Sequence, residues 1–63
     1  MKDVDYNFLI GKIGITDTEL NPSGVVVIED EVFEATAEDQ FVDKGRGVKV
    51  IRVQGRKIFV RRV

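Results

Sequence analysis

Residues Leu9–Gly24, LIGKIGITDTELNPSG, decide how the rest of the chain is read. Two glycines three apart interrupt an Ile/Leu run, and a polar stretch then closes on Leu20-x-Pro22-x-Gly24. Glycine weakens a strand and marks a kink or a close backbone approach. Gly11 and Gly14 therefore point to a first strand that coils tightly, as closure of a small barrel demands. The Leu-x-Pro-x-Gly exit reads as a fixed turn, with Pro22 setting φ and Gly24 free to take a positive one. Strand one is expected over 9–16, with Leu9, Ile13 and Ile15 inward and Ile10, Lys12, Gly14 and Thr16 outward. Leu20 is expected to plug one barrel end.

Downstream, the runs 24–29 and 32–37 read as a hairpin. A two-residue turn at Asp30-Glu31 would pair Ile28 with Phe33 and Val26 with Ala35, placing all four inside. Val25, Val27 and Val32 then face outward. Asp and Glu make a poorer hairpin turn than Asp-Gly, which leaves the register open by one residue. Residues 38–45 are too few for a substantial helix, and Phe41 or Val42 caps the core. In strand four, 47–53, Val48 and Val50 share one face while Ile51 and Val53 share the other. A bulge near Val50-Ile51, or a strand buried on both faces, explains that switch. Gln54-Gly55 is the expected turn into strand five, 57–63, with Ile58 and Val60 inward and Lys57, Phe59 and Arg61 outward. Eleven Val and six Ile favour strands. Five short strands with turns at this spacing predict an all-β, five-stranded antiparallel barrel with little or no helix.

Sixty-three residues make one small domain. Residues 1–8 are expected to form a tail or linker remnant and 9–63 the barrel. With no Cys and no His, neither a disulfide nor an ordinary zinc site can staple it. No apolar run approaches the ~20 residues of a membrane span. Charge is lopsided. All eleven acids lie in 1–43, opposed only by Lys2 and Lys12, whereas 44–63 carry eight Lys and Arg and no acid. That basic strand pair either meets an acidic or phosphate partner or pairs across strands with acidic neighbours.

The residue types argue against catalysis. General acid–base and nucleophilic chemistry draws mostly on His, Cys, activated Ser or paired carboxylates. The single serine, Ser23, sits between Pro22 and Gly24, where a turn explains it. Glu29-Asp30-Glu31 lacks the spacing of a calcium loop and reads as a solvated turn. No cofactor, metal or catalytic residue is expected. Lys44, before a strand in a Gly45-Arg46-Gly47 turn, is not placed like a swinging-arm attachment lysine.

The same fragments resemble, in order and spacing, the C-terminal soluble domain of the NfeD family. They are the Gly-x-x-Gly strand, Leu20-x-Pro22-x-Gly24, Val26-x-Ile28, Phe33-x-Ala35, Phe41-Val42-x-x-Gly45-x-x-Val48-x-Val50 and Gly55-x-x-Ile58-x-Val60. The resemblance spans 9–63. It implies an OB-type barrel that hangs from membrane helices and a partner of the stomatin or flotillin type. This chain would then be a soluble piece at a membrane surface, on the cytoplasmic side, cut from or lacking its anchor. Two departures from the family pattern are the missing hairpin glycine at Asp30-Glu31 and apolar residues at Val25 and Val27.

OB barrels commonly present ligands on the outer face of strands two and three. Here that face carries Val25, Val27, Val32 and Glu34, with Ile10 beside it. Outward valines suit a protein partner, because phosphate contact needs cations. Tyr6–Phe8 covering this patch within the chain, or plain β-propensity, would equally explain them. Phe59 and Arg61 form a second candidate patch for partner contact; the alternatives there are single-stranded nucleic acid at Phe59 flanked by Lys57 and Arg61, or anionic lipid at Phe59, Lys57, Arg61 and Arg62. Glu29 and Glu34 weigh against nucleic acid.

Overall fold

The computed structural model describes residues 6–63. A 3-10 turn, Tyr6–Leu9, precedes five strands: β1 Ile13–Thr16, β2 Ser23–Ile28, β3 Glu31–Ala37, β4 Gly47–Gln54 and β5 Lys57–Arg62. They close into a barrel in the order β1-β2-β3-β5-β4. Every pairing is antiparallel except β3 with β5, which meet in parallel over two positions, Thr36↔Phe59 and Ala37↔Val60.

Alternating residues fill the interior. Val26 and Ile28, Ala35 and Ala37, Val48 and Val50, and Ile58 and Val60 are all buried. Leu20 and Val42 join in an isolated antiparallel bridge, both almost fully buried, and plug one end. Phe41 stays exposed, so Val42 is the cap. Leu9 enters from the 3-10 turn, and Tyr6 packs edge-on against half-buried Phe33, ring centroids 5.6 Å apart.

The first strand departs from the sequence reading in extent and in phase. It begins at Ile13, so Ile10 lies outside it. Gly14 and Thr16 are buried, whereas Ile13 and Ile15 are 53% and 50% exposed. Two contacts with distant parts of the chain invert the phase. A Cβ on Gly14 would lie 2.6 Å from both Ile28 Cγ1 and the Val27 carbonyl oxygen, so β2 occupies that space. The Thr16 hydroxyl donates to the Asp43 carbonyl at 2.7 Å and accepts from the Arg46 amide at 2.9 Å, tying the loop before β4 to β1.

Both hairpin turns sit one residue away from their expected places. Glu29 and Asp30 form the first, with φ of 51° and 69°, and Ile28 pairs with Glu31. Positive φ at both central residues is the twist-matched hairpin geometry, and here Glu and Asp adopt it without a glycine. Gly55, at φ 62°, and Arg56 form the second, pairing Gln54 with Lys57. Gly24 does not take a positive φ; the position is glycine because a Cβ would run into the Glu19 carbonyl and the Thr18 and Leu20 side chains. The expected bulge is present at Ile51, between the Val50 and Arg52 pairings, and turns Val53 back toward the core.

Candidate protein-binding face

The inverted phase of β1 builds the main surface feature. Ile15 pairs with Val27, and Val27 pairs with Val32. Three aliphatic side chains therefore lie side by side across the outer face of β1, β2 and β3. Ile13 extends the patch one step along β1, and Val25, paired with Glu34, extends it along β2. Val32 is 67% exposed; Val25 and Val27 are half-buried. Cross-strand neighbours of this kind pack against each other, yet the row remains open to solvent. Tyr6 and Phe8 flank Val32 and Phe33 at the end of β3 and leave the row uncovered.

Charge brackets the patch. Lys49 pairs with Ile13 on one side and with Arg61 on the other, so two cations stand directly across from each other. Glu34 borders the opposite side. Among the described residues the ion pairs are Lys12–Glu29 at 3.0 Å and Arg52–Glu38 at 3.1 Å. Asp39 Oδ2 accepts from the Arg62 amide at 2.9 Å. Most cations of β4 and β5 therefore have no carboxylate partner among those residues.

Of the sequence-derived candidates, Val25, Val27, Val32 and Glu34 come together on one face. Ile10 does not join β1, and Ile13 and Ile15, read as core from their apolar character, take the place beside the valines. Phe59 and Arg61 lie on β5, away from the row. The Arg52 guanidinium stacks over the Phe59 ring, 4.0 Å from its centroid, while also bonding Glu38. That ring face is occupied from within the chain.

Ser23 Oγ meets Thr36 Oγ1 at 3.2 Å across β2 and β3. No group of three His, Cys, Asp or Glu is placed to hold a metal ion among the described residues. No helix among them is long and apolar enough to cross a membrane.

A five-stranded closed barrel joined by a short parallel β3–β5 seam, with an open aliphatic row on β1–β3, is an OB-type barrel. The chain belongs to the NfeD family: residues 6–62 match the NfeD-like C-terminal, partner-binding domain. It is 49% identical over 55 residues to membrane protein NfeD1b of Bacillus subtilis (strain 168), a match covering 87% of this chain and 13% of that protein. The fold superposes with a TM-score of 0.87, at 30% identity and 95% coverage of both chains, on the C-terminal domain of stomatin operon partner protein 1510-C from Pyrococcus horikoshii.

Proposed function

We propose that this domain is a non-catalytic docking module which binds a stomatin-type protein beside a membrane, on the cytoplasmic side. The row Ile15–Val27–Val32 carries the reading. Monomeric proteins seldom keep adjacent large aliphatics exposed across three strands without a use. The relatives supply the context, one being a membrane protein and the other a stomatin operon partner protein. Ile13, Ile15, Val27 and Val32 form the apolar centre of the interface, with Val25 and Glu34 at its rim. Phe59 and Arg61 make a secondary contact on the basic side. Nucleic acid or anionic lipid at β4–β5 is the weaker reading, because Arg52 already covers the aromatic ring that would stack a base.

The test is titration of the isotope-labelled domain with the soluble domain of a stomatin-type protein from the same genome, followed by amide NMR shifts. Shifts should cluster on β1, β2 and β3. Val27→Asp and Ile15→Asp should each weaken binding at least tenfold, since truncating a buried interface anchor costs on the order of 1–2 kcal/mol or more. A folded pair of variants that bind within twofold of the parent domain would remove the face from the interface.

A further inference from the structure

One long edge of the barrel is unfinished. Toward β2, β3 is paired at every residue from Glu31 to Thr36. Toward β5 it is paired only at Thr36 and Ala37. Hydrogen bonding alternates along an antiparallel ladder, and the residues flanking a two-residue turn form a bonded pair. Counting from Ile28↔Glu31, the backbone groups of Glu31, Phe33 and Ala35 point to β2. The Ala37 amide keeps this phase, donating to the Pro22 carbonyl at 2.7 Å. The N–H and C=O groups of Val32 and Glu34 therefore point the other way, to the side where β5 has not yet begun to pair.

A trough follows that open edge. One part of it, about 380 Å³, lies among Glu34, Thr36, Arg56 and Lys57. Further depressions continue past Tyr6, Val32 and Phe33 to Phe8 and Glu31. The β4–β5 turn and the N-terminal 3-10 turn supply the opposite wall. Five edge residues, Glu31–Ala35, span roughly 16 Å at about 3.3 Å per residue.

We infer that an extended segment of a protein partner adds to β3 in this trough as an extra strand, its backbone bonding Val32 and Glu34. The inference rests on the docking-module reading and names how part of the partner is held. Added strands gain affinity from main-chain bonds and selectivity from alternate side chains. Charge fixes the chemistry of the segment. Glu34 on the edge and Arg56 and Lys57 across the trough form no ion pair among the described residues. The fitting segment sets an aliphatic residue beside Val32, a Lys or Arg beside Glu34 and an acid toward Arg56 and Lys57. A second copy of this chain does not fit. Antiparallel β3–β3 pairing about Phe33 would set each Glu34 against the other copy's Val32, and β3 carries no cation to meet either carboxylate.

Backbone amide exchange of the labelled domain, free and saturated with the soluble domain of the stomatin-type protein, tests the inference. Exchange at Val32 and Glu34 should slow at least tenfold in the complex. Phe33, already bonded to β2, should change far less. Glu34→Pro deletes an open-edge donor where edge strands tolerate proline, and should weaken binding tenfold more than Glu34→Ala, which keeps the N–H. If binding shifts Ile15 and Val27 but Val32 and Glu34 exchange as in the free domain, the added strand is refuted and the aliphatic face stands. If nothing binds, both readings fall. The exchange measurement uses the unaltered sequence, so it decides even if the proline variant does not fold.

Discussion

Replacing Thr16 with Val tests the phase of β1, on which the proposed binding face depends. The two side chains are nearly the same shape, so the change removes the hydroxyl and little else. In the folded domain that hydroxyl is buried, donates to the Asp43 carbonyl at 2.7 Å and accepts from the Arg46 amide at 2.9 Å. Each such bond contributes about 0.5–1.5 kcal/mol net, and a partner left unsatisfied in a buried place costs about 1–3 kcal/mol. Asp43 and Arg46 are themselves exposed residues, so water recovers part of that loss. A destabilisation of about 1–3 kcal/mol results. At about 2.1 cal/mol/K per residue, a chain this short loses roughly 8 °C of Tm per kcal/mol, or about 8–24 °C in all. The reciprocal change, Ile15→Thr, alters a half-exposed side chain and should stay within about 1 kcal/mol. Thermal unfolding followed by circular dichroism reads both. Were Thr16→Val to melt within a few degrees of the parent domain while Ile15→Thr lost more than about 2 kcal/mol, β1 would run in the opposite phase and the aliphatic face would vanish.

Two further changes probe the backbone around that face. Gly14→Ala forces a methyl group into the Val27 carbonyl oxygen, which cannot swing aside like a side-chain tip; overpacking of this kind costs about 1–3 kcal/mol, read as a lower denaturation midpoint at unchanged m-value. Asp30→Gly relieves a non-glycine residue held at φ 69° without touching the Lys12–Glu29 bridge; it should raise stability by roughly 0.5–1 kcal/mol, and a lowered Tm would contradict the turn geometry.

The barrel was legible because five short strands divided by turn residues have one plain reading, and the phase switch in β4 left only a bulge or a strand buried on both faces. Both hairpin turns were misplaced by one residue, yet the side chains of β2, β3 and β5 kept their faces. Moving a two-residue turn by one residue shifts the register by two, and strand side chains repeat with that same period. In β1 no such protection existed. Ile-Gly-Ile-Thr offers two apolar side chains on one face and a glycine and a hydroxyl on the other, and counting hydrophobicity puts the isoleucines inside. What reverses it is long-range: the space at Gly14 is taken by Ile28, and the Thr16 hydroxyl is claimed by a loop some thirty residues later. The candidate face was therefore half visible, its valines from strand phase and its isoleucines only once β2 and β4 were in place.

In the proposed docking mode the lopsided charge acquires a use. Had β4 and β5 been neutralised across strands, the aliphatic row would be bordered by closed ion pairs. Instead Lys49 stands across from Arg61, a like-charge pairing that weakens the sheet. Glu34 lies at the other border with no cation paired to it among the described residues. An apolar patch with a positive border on one side and a negative border on the other has a polarity. A partner carrying acids toward β4 and a cation toward β3 is favoured in one orientation and repelled when turned around. Such charges add less to affinity than to the choice of orientation and the rate of encounter. The aliphatic row would supply the holding energy and the split charge the direction, and the open edge of β3 lies on the side where that direction leads.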